Sequence, residues 1–214
     1  MNTDDLIAQL SAAAAPVKRL APPMTRALLW LAIIAVLAAA PILLRANLPV
    51  FARRAADPRM ALELFATLAT GVAGVIAAFH LSIPGRPRAW GLLPAPFVIL
   101  WLLISGWGCL QFLPEQDRRG WGLSQSHDCF VFLLAVGLPL AGLLILTLKR
   151  ASPLQARLVA SVGALGVAGL AAFILQFFHP FDVTVMDLGT HIAALLILIG
   201  VFSLSGRLTL SPRN

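Results

Sequence analysis

Long apolar runs alternate with short polar connectors along this chain. The runs at 27–44, 64–83, 89–114, 129–148, 158–178 and 188–206 contain no Asp, Glu, Lys or Arg. A helix needs about 20 residues, at 1.5 Å each, to cross a bilayer. Each run therefore predicts a spanning helix. The first is the shortest at 18 residues, and Arg26 and Arg45 flank it where they can snorkel to the interfaces. The predicted fold class is all-α: a polytopic membrane protein with six transmembrane helices in an antiparallel bundle. Residues 1–26 form an N-terminal segment, 27–206 the membrane domain and 207–214 a tail.

Composition agrees with the pattern. Hydrophobic residues are 59% of the 214, charged residues 12%, and the mean hydropathy is +0.89. Too little polar surface remains to coat a soluble domain of this size. The sequence pI of 11.3 does not point to nucleic acid. The basic residues are spread over short connectors rather than gathered in one groove. No direct nucleic-acid partner is expected.

The connectors set the orientation. Six spans place both termini on one side. Ten of the 16 Lys and Arg lie there, among them Lys18, Arg19, Arg26, Arg86, Arg88, Lys149, Arg150 and Arg157. Six lie opposite, four of them in the first far loop at Arg45, Arg53, Arg54 and Arg59. The excess puts both termini in the cytoplasm. Acids other than Asp4 and Asp5 fall on the outer side, Glu63, Asp128, Asp182 and Asp187 among them. No secretory signal opens the chain, because the first long apolar run begins only at Ala27.

Residues 1–26 are the one sizeable cytoplasmic element. Thr3 suits an N-cap, with Asp4 and Asp5 in the first turn, where carboxylates favour the helix dipole. Leu6, Ile7, Leu10, Ala13 and Ala14 share one face. Pro16 stops the helix, and a link follows through Val17, Lys18, Arg19 and Leu20 to Pro22 and Pro23. Such a short helix is marginal in water and gains from a partner. A surface-lying membrane helix would carry Lys or Arg on its polar face, whereas this one carries Asp. Docking to a soluble protein is the better reading.

Connections are short, so the spans are expected to pair as three antiparallel hairpins in one bundle. Gly71 and Gly74, and Gly163, Gly166 and Gly169, are either close-approach positions or ordinary membrane-helix glycine. Pro41, Pro94, Pro96 and Pro139 start or bend helices.

Candidate chemistry is sparse. Cys109 and Cys129 flank the turn between the third and fourth spans and lie toward one membrane face. They are a disulfide, a redox- or metal-sensitive pair, or packed apolar thiols. His127, Asp128, His179, Asp182, Asp187 and His191 lie near the same face. His179, Asp182 and His191 are the candidate metal ligands, although no zinc-finger or HExxH spacing exists. His191, three residues into the sixth span, should face the bundle and bond to Asp187 one turn earlier. No resident cofactor is expected, and a heavy-metal ion is considered only as a signal. The chain lacks Cys-x-x-Cys, Walker, Rossmann and Ser–His–Asp patterns, so no enzyme is expected. Charge-free runs without an internal repeat make a small transporter or channel the second choice.

The opening Met-Asn-Thr-Asp-Asp-Leu-Ile-Ala-Gln-Leu, with Pro16, Val17, Lys18, Arg19 and Leu20, resembles the start of the NrsF family. Asp128, Cys129, Phe132 and Leu138-Pro139-Leu140 resemble its fourth span. Phe178, His179, Pro180 and His191 resemble the end of its fifth and the start of its sixth. The resemblance implies a bacterial inner-membrane anti-sigma factor. Its partner would be an extracytoplasmic-function sigma factor, and its anchor the lipid bilayer. Asp4, Asp5, Leu6, Leu10, Pro16, Val17 and Arg19 would hold the sigma factor. Cys109 and Cys129 would sense metal or oxidative stress.

Overall fold

A computed structural model of the protein describes residues 2–13, 19–119, 123–151, 153–178 and 185–210. Side chains are described for all of these except 13, 112–119, 123–126, 185–187 and 207–208. The described chain is helical, with no strand among the described residues. α1 is Thr3–Ala13, α2 Pro23–Arg45, α3 Leu48–Ala55 and α4 Pro58–Leu81. α5 is Ala95–Arg119, α6 Leu123–Leu148, α7 Ala156–Leu175 and α8 Val185–Thr209. Six of them (α2 and α4 to α8) contain stretches long and apolar enough to cross a membrane. The chain is a multi-pass membrane protein.

Local signals explain where the helices begin. Asn47 accepts from the Val50 amide to start α3, a helix that the sequence pattern leaves as loop. The Asp57 carboxylate accepts from the Arg59 amide at 2.8 Å, and Pro58 fills the first helical position of α4. α4 thus begins six residues before the apolar run at 64–83, and this draws Glu63 into the helix. α2 likewise starts at Pro23, which gives the short first run a helix of 23 residues. In α1 the Leu6 amide bonds to the Asn2 carbonyl, so Asn2 rather than Thr3 holds the cap position.

The hub is the pair α4 and α7, which make the most extensive helix–helix contact. Both are largely buried, unlike the other spans. Glycine is the reason. A Cβ at Gly74 would stand 2.5 Å from the Gly166 Cα, and one at Gly169 would stand 2.7 Å from the Gly71 amide nitrogen. The two backbones touch where any larger residue would hold them apart. Of the two readings left open for these glycines, close approach is the observed one.

Around the hub, α2 lies against α4, and α8 against α7. The expected second hairpin, between the third and fourth spans, is not found. Among the described residues α5 and α6 barely touch; α5 packs on α4 and α8, and α6 on α7 and α8. Neither facing helix offers a glycine seam: Gly106 and Gly142 both open on empty space. Chain adjacency alone does not create a contact when better-matched surfaces compete.

Alternation leaves two ends. One, the terminal end, gathers the start of α2 with the ends of α4 and α6: Arg26 bonds to the Thr147 carbonyl at 2.9 Å and lies over the Phe79 ring. The other, the far end, gathers the start of α4 with the later part of α5, through Glu63 and Ser105.

Candidate functional site

The first candidate is α1. Asp4 and Asp5 sit exposed in its first turn. Leu6, Ile7 and Leu10 are 40%, 59% and 63% exposed, so the apolar stripe expected from their spacing is left open. Arg19 is exposed and borders a cavity at the terminal end. Pro16 and Val17 lie outside the described residues, as does the link that joins α1 to α2.

The second is at the far end, on α4 and α5. Glu63 is 5% exposed, and its Oε1 accepts from the Ser105 hydroxyl at 3.0 Å. One turn further along α4, the Thr67 hydroxyl donates to the Glu63 carbonyl at 2.9 Å. With Trp101, Gln176 and His191, Glu63 and Ser105 line a cavity of about 20 Å³, the size of one water molecule. An ionisable side chain within a membrane helix is costly unless it is paired, and so marks a site. In the sequence Glu63 falls on the outer side, just before the apolar run that starts at Leu64. The Asp57-Pro58 pair is the signal that would have moved it.

The cysteines flank this node without meeting. Cys109 is buried on α5, one turn beyond Ser105. Between them Gly108 lies against the Arg59 guanidinium, with no room for a Cβ. Cys129 is buried on α6 in a cluster with Ala66, Trp101, Ala172, Leu175 and Ala194. Their helices, α5 and α6, each pack on α8. Direct pairing of the third and fourth spans, the basis for expecting the two sulfurs to face each other, is not the arrangement found.

Of the candidate metal ligands, His191 is half-buried in the wall of the Glu63 cavity. His179 and Asp182 lie outside the described residues, and so does the Asp187 side chain. Among the described residues, no three His, Cys, Asp or Glu side chains form a metal-binding group. His127 and Asp128 are exposed, 3.6 Å apart, at the start of α6.

A family model described as the negative regulator of sigma F matches residues 10–211. The chain belongs to the NrsF family. The match takes in all six spans, the far-end node and both cysteines. It bears out the family resemblance seen from Pro16 to Leu20 and in the fourth to sixth spans, and identifies a negative regulator of a sigma factor. It begins at Leu10, so Asp4, Asp5 and Leu6 rest on the chemistry of α1 itself. Comparisons with curated proteins and with solved structures found no match.

Proposed function

We propose that this protein is a non-enzymatic anti-sigma factor of the bacterial inner membrane. It holds an extracytoplasmic-function sigma factor through α1 and the link at 16–20, with both termini in the cytoplasm. The observation that carries the reading is the exposed Leu6–Ile7–Leu10 stripe on α1, beside two acids. The leucines fill a groove on the sigma factor, while Asp4, Asp5 and Arg19 set register. The excess of basic connectors on the terminal side supports the orientation.

Sensing is assigned to Cys109 and Cys129, at the periplasmic end. A thiophilic metal or an oxidant that modifies Cys109 widens the α4–α5 seam beside Glu63–Ser105. One that modifies Cys129 presses on Ala66 of α4 through the shared cluster. Either displaces α4, whose 24 residues span about 36 Å and bring Phe79, in the last turn, beneath Arg26. Arg26 stands at the root of the tether to α1. A packed bundle shifts between discrete arrangements rather than stretching, and about 3 kcal/mol changes sigma occupancy by more than a hundredfold.

The test is deletion of residues 2–20. The truncated protein is expected in the membrane fraction with the sigma factor left soluble. Continued recovery of the sigma factor with the membrane would place the docking surface elsewhere.

A further inference from the structure

A cavity of about 660 Å³ opens at the terminal end between α2, α4 and α6. Its lining is unlike that of a lipid-facing groove. Arg19, Arg26 and Arg150 stand around it, and among the described residues no acid shares the lining. Arg26 is the fixed member. One of its amine nitrogens (Nη2) donates to the Thr147 carbonyl, and the Phe79 ring lies 5.1 Å beneath its carbon. The other, Nη1, is buried and has no acceptor among the described residues. Trp30, 2% exposed, is in the same state: its indole N–H is buried with no acceptor there. A buried donor without an acceptor costs about 1–3 kcal/mol, more when charged. Two such donors in one cationic cavity define an anion site.

Below the arginines the lining turns apolar and opens sideways. Leu29 and Ile33, 63% and 45% exposed, continue the site down the lipid-facing side of α2. A soluble anion has no use for that track. A molecule with a phosphate at one end and hydrocarbon at the other uses both.

We propose that this cavity binds an anionic glycerophospholipid. Its phosphate accepts from Arg26 Nη1 and from the Trp30 N–H, Arg19 and Arg150 supply further charge, and one acyl chain lies along Leu29 and Ile33. Basic pockets between helices at headgroup depth recognise lipids in this way, and the guanidinium fork suits phosphate oxygens. The proposal holds whichever leaflet the terminal end faces and does not depend on sigma-factor binding.

The full-length protein, purified in detergent, is to be mixed with phosphatidylglycerol or phosphatidylcholine and observed by native mass spectrometry. Phosphatidylglycerol should stay bound, with about tenfold loss in Arg26→Gln and a clear loss in Trp30→Phe. Arg150→Gln, at an exposed position, should weaken retention without touching the fold. Equal retention of both lipids, or equal retention by wild type and all three variants, overturns the site. Thermal protection by inorganic phosphate alone, as strong as by phosphatidylglycerol, overturns the lipid assignment in favour of a soluble anion. Retention that appears only after deletion of residues 2–13 shows that the acidic α1 fills the cavity instead, and likewise overturns it.

Discussion

α4 with α7, and α5 with α6, are two pairs of apolar helices in one bundle, and they behave oppositely. The first pair is separated in sequence by two other spans and meets backbone to backbone. The second is adjacent in the chain and barely touches among the described residues. In a bilayer, apolar surface gains little by leaving lipid, so close shape and polar contacts decide which helices associate. α4 and α7 have matched glycines. α5 instead spends its polar face on α4, through Ser105 and Glu63. The sensing proposed for α5 and α6 would therefore act on the hub by two separate routes, one for each thiol.

The largest effect is expected from breaking the tight pair. Gly74→Leu forces a side chain into the Gly166 backbone and should cost about 3 kcal/mol or more. In thermal unfolding of detergent-solubilised protein it should lose the folded peak. Gly142→Leu, on α6 with open space around it, is the matched control and should unfold like wild type. If both variants behave alike, glycine contact is not what holds the hub.

Next in size is docking. Leu6→Ala with Leu10→Ala removes most of the exposed apolar stripe of α1 and leaves the bundle unchanged. Sigma-factor affinity should fall by about 2 kcal/mol, roughly thirtyfold, with unfolding temperature unaltered. An unfolding shift would show that α1 packs on the bundle after all, and unchanged affinity would remove α1 from the interface.

Ser105→Ala probes the seam that α5 has chosen. It deletes one donor to the Glu63 carboxyl and should cost about 1 kcal/mol. Restoration by Ser105→Thr, which keeps the hydroxyl, would separate the hydrogen bond from simple packing. A loss in both variants alike would make the seam steric.

These pairs show what can be read from the sequence and what cannot. Run length located all six spans, because the bilayer demands a fixed number of apolar residues whatever the neighbours are. Leu6, Ile7 and Leu10 likewise follow from a local period. Glu63 was misplaced because hydropathy ends a span at the first charge, whereas Asp57 and Pro58 start the helix six residues earlier. The glycines were visible, but which faces meet depends on all six helices at once. From the sequence Arg26 is a flanking charge and Trp30 one apolar position of the first run; only the approach of Phe79 and Thr147, about 50 and 120 positions on in the chain, turns them into one cavity.

The smallest change to the folded molecule, and the sharpest test of the two pairs, comes from the thiols. Cys109→Ser and Cys129→Ser each alter one buried atom and should shift stability by about 1 kcal/mol or less. The readout is release of the sigma factor after exposure to a thiophilic metal or an oxidant. Because Cys109 lies on α5 outside the cluster that holds Cys129 with Ala66, Trp101 and residues of α7 and α8, each single variant should keep part of the response and the double variant none. Near-additive losses are the mark of sites without a shared partner. Equal and complete loss in all three variants would instead require one product made by both sulfurs, such as a disulfide. α5 and α6 would then have to close on each other during sensing, since bridged Cα atoms lie within about 7 Å. A double variant that responds like wild type would remove the thiols from sensing and leave Glu63, Ser105 and His191 as the far-end groups able to carry it.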